Sequence, residues 1–240
     1  MVSKNDLKQL SQLGQKKMRQ QRGLFSVEGT KAIATFLAHG YSMTHYFGLA
    51  NTPVIDGYSM TVVAQNDLKK LSNLKTPAAC WAAFRLPTHN DFSPQSLNVA
   101  LDGIRDPGNL GTIIRLCDWF GIAHVLCSTD TADCFNPKVV QASMGSLARV
   151  HVHYVDLAQF VRQHNLAVIG TDMKGINLYE AQMPPKAVLV MGNEGHGISD
   201  EIQALCSQTI RIPNYGTPAA ESLNVAMATG IILSELTRRG

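Results

Sequence analysis

Residues 210–235 read IRIPNYGTPAAESLNVAMATGIILSE, and the interpretation of the whole chain starts from this stretch. It predicts a short apolar strand, a turn at Pro213 and Gly216, and then an apolar helix that opens at Ser222. A helix N-terminus has free N–H groups and a positive dipole end, so it is suited to hold a polar ligand. Ser222 is equally suited to cap the helix, so this stretch alone leaves a ligand site and a simple cap both open.

Two further stretches have the same layout of an apolar strand, a Gly-rich loop and a helix start. Residues 102–121 read DGIRDPGNLGTIIRLCDWFG, and residues 188–199 read VLVMGNEGHGIS. In open α/β sheets, ligands bind at the loops that follow the carboxyl ends of the strands. Three such loops in one half of the chain therefore predict a binding site.

The three stretches carry motifs that resemble those of the SpoU family, also called TrmH, of RNA 2′-O-methyltransferases. The matching residues are Asn109-x-Gly111-x-x-x-Arg115, then Gly192-Asn-Glu194-Gly-x-Gly197, then Ile212-Pro213 with Glu221-Ser222-Leu-Asn224. Three motifs in the right order, each after an apolar strand, are more specific than any single Gly-rich loop. The resemblance implies an enzyme that transfers a methyl group from S-adenosylmethionine to a ribose 2′-hydroxyl of tRNA or rRNA.

The resemblance also implies roles for individual residues. The catalytic set would be Asn109, Arg115, Glu194, Ser222 and Asn224. Backbone groups of four residues would hold S-adenosylmethionine, namely Met191, Gly192, Ile212 and Leu223. An arginine stays protonated in proteins, so we expect Arg115 to clamp an RNA phosphate rather than to act as the general base. The alternative for Arg115 is a surface ion pair with Asp118 or Asp102.

The alternation of strands and helices predicts an α/β protein of two domains. In residues 97–240, apolar strands without polar alternation predict a mainly parallel sheet, and the resemblance adds the trefoil knot of the SPOUT class. Residues 1–88 are predicted to form a small α/β domain, whose segment Arg22–Lys31 resembles the start of an L30e-like substrate-binding domain. Residues 89–96 are polar and Pro-containing, which is typical of a linker. The loop 214–220 looks longer than in common members of the family.

The first 22 residues carry six Lys or Arg against one Asp, a local charge of +5. Such a segment suits a phosphate backbone, although a solvated helix face is the commoner explanation of a charge run. The candidate RNA-binding residues are Lys16, Lys17, Arg19, Arg22 and Lys31.

Other observations restrict the class of protein. The five cysteines are scattered and form no Cys-x-x-Cys pair, so neither a disulfide framework nor a zinc site is expected. The sequence contains no long apolar run and no signal peptide, so we expect a cytoplasmic protein without membrane or metal partners. The resemblance implies a homodimer formed through the C-terminal domain.

Two other functions are possible for an α/β chain with Gly-rich loops. A nicotinamide-dependent oxidoreductase would need a G-x-G-x-x-G after the first strand of a domain, and neither domain has one. A catalytically inactive RNA-binding protein that retains the fold is the stronger alternative. The presence of Arg115 and Asn224 argues against it, and binding of S-adenosylmethionine would separate the two.

Overall fold

The computed structural model describes residues 4–88, 91–216 and 222–239. The elements of the first part are α1 (Lys4–Ser11), α2 (Lys16–Arg22), β1 (Leu24–Glu28), α3 (Thr30–Ala38), β2 (Met43–Gly48), β3 (Thr61–Val62), α4 (Gln65–Leu71) and β4 (Cys80–Arg85). Those that follow are β5 (Leu97–Asp102), α5 (Pro107–Trp119), β6 (His124–Cys127), α6 (Pro137–Ala142), β7 (His151–Tyr154), α7 (Leu157–His164), β8 (Ala167–Asn177), β9 (Ala187–Gly192), α8 (Asp200–Gln203), β10 (Cys206–Arg211) and α9 (Val225–Arg239). Single 3-10 turns span Gln12–Gly14 and Ser146–Ala148.

The chain forms two compact units, and the boundary between them is not a single point. The first unit contains residues 1–90 together with Asp133–Arg149, and the second contains Asp91–Ala132 together with Val150–Gly240. The sequence groups residues 133–149 with the C-terminal domain, whereas their side chains pack in the first unit. Asp133 forms an ion pair with the buried Arg19, and the Phe135 ring lies 4.7 Å from that of Phe25.

The first unit is built on a four-stranded sheet with the order β1-β4-β2-β3. Strand β4 runs antiparallel to both β1 and β2, while β2 and β3 are parallel. The core of this unit contains fully buried aromatic side chains, namely Phe25, Trp81 and Phe84 on the sheet and Phe36 on α3. Strands and helices alternate along residues 4–85 of this unit.

The second unit is built on a six-stranded sheet with the order β10-β8-β9-β5-β6-β7, and all of its strand pairs are parallel. Strands β5, β6 and β9 are almost wholly buried, which explains their uniformly apolar sequences. The last residues of β5 and β9, Asp102 and Gly192, are register partners. The first two Gly-rich loops therefore leave neighbouring strands at the same level of the sheet.

From its apolar pattern and turn residues, the sequence predicts helices over 110–120, 136–147 and 222–239 and a strand over 166–171. Several of these boundaries differ in the structure. Helix α5 begins at Pro107 rather than at Leu110, because Asp106 caps it and proline suits the first helical position. Helix α9 begins at Val225 rather than at Ser222. The helix predicted to continue to Leu147 ends at Ala142, because Met144 and Gly145 both adopt positive φ angles. Strand β8 continues to Asn177, six residues beyond the predicted end at Thr171.

Two predictions concern the parts of the chain outside the described residues. The predicted trefoil knot depends on the final segment, which includes residues 217–221, and the predicted longer loop 214–220 includes residues 217–220. These residues lie outside the described ranges. Within the described ranges, none of the helices has both the length and the apolar character needed to cross a lipid bilayer.

Candidate active site

The first two Gly-rich loops are joined by hydrogen bonds beyond the ends of β5 and β9. The Asp102 carboxylate accepts a hydrogen bond from the Ser199 backbone N–H at 2.8 Å. The Asn193 side-chain amide donates to the Gly103 carbonyl at 2.7 Å. These bonds hold the two loops in one fixed arrangement.

The second loop also folds tightly on itself. Asn193 and Gly197 exchange two backbone hydrogen bonds, and the Asn193 side-chain oxygen accepts from the N–H of Gly195 at 2.9 Å. A Cβ atom on Gly192 would lie 2.3 Å from the carbonyl carbon of Gly197. Only glycine can therefore occupy position 192 without a shift of the loop backbone.

Asn109 lies in the first turn of α5. The Asp106 side chain accepts from the Asn109 backbone N–H at 2.8 Å, which satisfies one of the free donors at this helix end. This cap fixes the backbone of Asn109 and leaves its side-chain amide for other partners.

The Asn109 amide connects the second loop to the third. Its nitrogen donates to a Glu194 carboxylate oxygen at 2.6 Å, and its oxygen accepts from the Asn224 side-chain nitrogen at 2.9 Å. The Asn224 side-chain oxygen accepts in turn from the N–H groups of Ala226 and Met227. One hydrogen-bonded series therefore joins residues that lie far apart in the sequence.

The direction of this series is determined at both ends. The Glu194 carboxylate can only accept, so Asn109 must turn its NH2 group towards it and its oxygen towards Asn224. The backbone N–H groups of α9 can only donate, so Asn224 must turn its oxygen towards them. Both requirements are met at once, so the oxygen and nitrogen of neither side-chain amide need to be exchanged.

Asn224, and not Ser222, caps α9. Its side chain accepts from the second and third N–H groups of the helix, and the Asn224 carbonyl accepts from Ala228. Ser222 is exposed, and within the described ranges its hydroxyl has no hydrogen-bond partner. The interpretation of Ser222 as the cap is therefore wrong, because the helix starts three residues later.

Arg115 projects from the exposed face of α5. Helical spacing places it on the same face as Gly108, Thr112 and Trp119, and all four positions are exposed. Among the described residues, the guanidinium forms no ion pair, so the alternative pairing with Asp102 or Asp118 is not found. Its charge is available to a ligand.

The four predicted cofactor residues lie at the ends of β9 and β10 and before α9. Met191 and Gly192 end β9, Ile212 directly follows β10, and Leu223 directly precedes the cap of α9. Ile212 and Leu223 make no backbone hydrogen bond to any described residue. Their N–H and C=O groups are therefore available to read the polar edge of a ligand such as an adenine ring.

For one of the five predicted RNA-binding residues, Arg19, the structure shows that the prediction is wrong. Arg19 is 2% exposed, and its guanidinium donates to the carbonyls of Leu13 and Gly14 and pairs with Asp133. It is a structural residue, because helix α2 turns this side chain into the protein. Lys16, Lys17 and Lys31 are exposed, while Arg22 is half-buried and donates to Gln9.

Three residues of the site were missed by the sequence analysis: Asp102, Asp106 and Asn193. Two of them carried a readable signal, since Asp-Pro is a typical helix start and Asn followed by Glu-Gly is typical of a side-chain-stabilised turn. Burial raises the pKa of the Cys117 thiol on the inner face of α5, so this cysteine is a packing group and not a nucleophile. The described residues contain no cluster of His, Cys, Asp or Glu suited to a metal ion.

Comparison with protein families gives two matches. Residues 96–234 match the sequence profile of the SpoU rRNA Methylase family. Residues 4–82 match the MRM3-like substrate binding domain.

Among similar proteins, a 23S rRNA (guanosine-2'-O-)-methyltransferase of Neisseria meningitidis is 35% identical over 62% of this chain and 61% of its own length. A 23S rRNA (guanosine(2553)-2'-O)-methyltransferase of Bacillus subtilis is 29% identical over 75% of this chain and 73% of its own. The match therefore spans less than two thirds of the Neisseria protein and more of the Bacillus one.

Among solved structures, a TrmH family member from Porphyromonas gingivalis has a TM-score of 0.88 and 39% identity, with full coverage of both chains. An rRNA methyltransferase from Sinorhizobium meliloti with bound S-adenosylmethionine has a TM-score of 0.86 and 30% identity, with 100% coverage of this chain and 97% of the other.

Proposed function

We infer the function of this chain from one premise: the chain belongs to the SpoU rRNA methylase family, whose profile covers residues 96–234. It is an S-adenosylmethionine-dependent RNA methyltransferase that acts on a ribose 2′-hydroxyl. The observation that carries this proposal is the hydrogen-bonded series Glu194–Asn109–Asn224, which joins the three motif loops.

The residues at the ends of β9 and β10 fit S-adenosylmethionine. The close approach of the backbone at Gly192 forms a narrow cradle, and the N–H and C=O groups of Ile212 and Leu223 face no described partner. When bound, the cofactor supplies an electrophilic methyl group on a sulfonium ion. No metal is required for transfer of such a group to a hydroxyl.

The protein must align the ribose and stabilise the charge that develops around it. Arg115 is the exposed cation on α5, and we assign to it the binding of the phosphate next to the acceptor ribose. An arginine side chain does not lose its proton in proteins, so Arg115 cannot accept the hydroxyl proton. That proton passes to solvent or to an acceptor such as the Glu194 carboxylate.

Asn109 and Asn224 hold the loops, and the exposed Ser222 hydroxyl next to them is available to the ribose. Each of these amides bonds through both its nitrogen and its oxygen within the series, so we assign to them the positioning of the site.

We propose ribosomal RNA as the substrate, and the cytoplasm as the place of action. The named relatives from Neisseria and Bacillus modify 23S rRNA, and the family that the chain belongs to is an rRNA methylase family. The first unit matches a substrate binding domain and exposes Lys16, Lys17 and Lys31, which suit RNA phosphates.

We also propose that two copies of the chain associate through the second unit. Trp119 at the end of α5 is 82% exposed, and Met227 near the start of α9 is 63% exposed. Large apolar side chains of this kind on packed neighbouring helices are typical of an interface.

The function can be tested by incubating the protein with labelled S-adenosylmethionine and rRNA from a strain that lacks the gene, followed by mapping of ribose methylation. Arg115→Ala should retain cofactor binding in calorimetry and lose about 100-fold or more in transfer rate, the usual loss for one charge-stabilising group. Arg162→Ala, which removes an exposed arginine paired with Glu201, is the matched control and should retain activity.

Wild-type activity of Arg115→Ala would contradict the role given to this residue. A chain that binds rRNA, but neither binds S-adenosylmethionine nor transfers its methyl group, would instead be the inactive RNA-binding protein.

A further inference from the structure

The two units of the chain carry opposite net charges. The first unit has thirteen Lys or Arg against five Asp or Glu, a formal charge of +8, and the second has eight against thirteen, a formal charge of −5. The phosphate backbone of RNA is attracted by cations and repelled by a surplus of carboxylates. A site for RNA on the second unit therefore needs local cations that offset this negative charge.

Two of the eight cations of the second unit flank the first motif. Arg105 lies in the loop before α5, ahead of Asn109, and Arg115 lies within α5, after Asn109. Arg115 is the residue proposed for the phosphate next to the acceptor ribose. Pro107 and Arg115 are separated by about 12 Å of helix, so Arg105, which precedes Pro107, is suited to a different phosphate.

The backbone on both sides of Arg105 is fixed. The Gly103 N–H donates to the Ser128 hydroxyl oxygen at 2.8 Å, and the next residue, Ile104, is fully buried. Directly after Arg105, Asp106 caps α5. The Arg105 side chain is nevertheless 74% exposed, so a firmly held loop presents this guanidinium to solvent.

Asp130 holds the Arg105 guanidinium through a single nitrogen. Arg105 Nη2 lies 3.3 Å from Asp130 Oδ2, while Asp130 Oδ1 accepts from the Ser128 hydroxyl at 2.7 Å. The hydrogen bond from Ser128, and after it the Arg105 guanidinium, lower the pKa of Asp130, so this carboxylate is charged at neutral pH. Among the described residues, the other four N–H groups of the Arg105 guanidinium have no partner.

The Arg105–Asp130 pair is weak, because both side chains are more than half exposed and share one long contact. A guanidinium can donate two parallel N–H bonds to the oxygens of a phosphate, which is a stronger arrangement than this single contact. Exchange of Asp130 for an incoming phosphate is therefore favourable for Arg105.

We propose that Arg105 binds a backbone phosphate of the RNA substrate, and that Asp130 takes the place of this phosphate in the free protein. The inference rests on the proposed function, because it takes RNA as the substrate. Asp130 stays bonded to Ser128 when Arg105 leaves it, and Ser128 continues to hold the Gly103 backbone. Asp130 is thus an internal competitor of RNA for Arg105.

The test measures binding of the whole chain to rRNA from a strain that lacks the gene, by filter binding between about 50 and 200 mM KCl. Each phosphate contact contributes about 0.7–0.9 to the slope of log K against log salt concentration. Arg105→Gln should reduce the slope by this amount and weaken binding several-fold. Arg162→Gln is the matched control, because Arg162 is an exposed arginine of the same unit, 3.6 Å from Glu201, and it should retain the wild-type slope.

Asp130→Asn tests the competition directly. Asparagine keeps an oxygen that can accept from Ser128, but it has no charge with which to hold Arg105. Asp130→Asn should strengthen rRNA binding about threefold, in line with the usual strength of an exposed ion pair. In the Arg105→Gln background the same substitution should leave binding unchanged, so the double-mutant cycle isolates the competition.

The inference is overturned if Arg105→Gln has the wild-type slope, or if Asp130→Asn strengthens binding equally with and without Arg105. Methyl transfer to rRNA and calorimetric binding of S-adenosylmethionine test the proposed function separately. An active chain whose slope does not change in Arg105→Gln would retain that function and lose only this inference. A chain without methyl transfer whose slope falls in Arg105→Gln would lose the proposed function alone.

Discussion

The two ends of the Asn224 side-chain amide hold different parts of the molecule. Its oxygen caps α9, and its nitrogen binds Asn109 of the first loop. Substitution by alanine would remove both interactions, so its effect on activity could not be separated from the loss of a helix cap, about 1 kcal/mol. Asp is the residue that separates them, because it caps as well as Asn but cannot donate.

We therefore expect Asn224→Asp to retain the stability of the protein and to lose most of its methyl transfer. The new carboxylate would face the Asn109 side-chain oxygen, and Asn109 cannot turn its NH2 group to two carboxylates on opposite sides. Unfolding in urea and transfer from labelled S-adenosylmethionine are the two measurements. Full activity of Asn224→Asp would mean that the hydrogen-bonded series does not position the site.

Arg19 was predicted to bind RNA because it is basic, but its side chain is buried and has a structural role. We expect Arg19→Met to lower the free energy of unfolding by about 3 kcal/mol, because it leaves Asp133 and two carbonyls without their donor. Lys17→Met, an exposed neighbour on the same helix, should change it by less than about 0.5 kcal/mol. Equal effects of the two substitutions in urea unfolding would refute a structural role for Arg19.

At the scale of elements, Gly230 and Gly192 of the second unit differ in whether there is room for a side chain. Gly230 lies inside α9, and an added Cβ would be 3.5 Å from the Leu116 side chain, an ordinary contact. Gly192 ends β9, and an added Cβ would overlap the backbone of Gly197. Alanine can therefore replace glycine at position 230, but not at position 192.

We expect Gly230→Ala to raise the free energy of unfolding by about 0.5–1 kcal/mol, since glycine is a poor helix former. Gly192→Ala should lower it by about 1–3 kcal/mol, the usual effect of an added group in a packed region, and should abolish binding of S-adenosylmethionine. Thermal unfolding and calorimetry report the two effects. Tight cofactor binding by Gly192→Ala would contradict the placement of the cradle at this strand end.

At the scale of the whole molecule, the association that we propose involves the exposed side chains of Trp119 on α5 and Met227 on α9. We expect Trp119→Glu to convert the proposed dimer into monomers, because a charge cannot be buried at the centre of an apolar contact without a partner. Tyr58→Glu, which changes an exposed aromatic residue of the first unit, is the control and should leave the dimer intact. Light scattering after size exclusion gives the molecular mass, and a wild-type monomer would refute the dimer itself.

Much of the second unit was predictable from the sequence because its signals are local. Uniformly apolar strands predicted a buried parallel sheet, and the three motifs, read with the family resemblance, predicted which loops carry the site. The match to the SpoU family confirms the resemblance, while the assignment of the site to these loops stays a prediction. The capping role of Asn224 was not predicted, since Ser222 is just as good a cap in sequence terms and only the start of α9 at Val225 decides between them.

The sequence by itself determined the α/β class, the order of the elements and the three motif loops, because backbone propensity and apolar pattern act between near neighbours in the chain. Only the tertiary structure decided that Arg19 is buried, that residues 133–149 pack with the first unit, and that Asn109 lies between Glu194 and Asn224. The partners in these three cases are separated by 85 to 115 residues. Contacts over such separations depend on where the sheets bring the chain, and this leaves no local pattern to read.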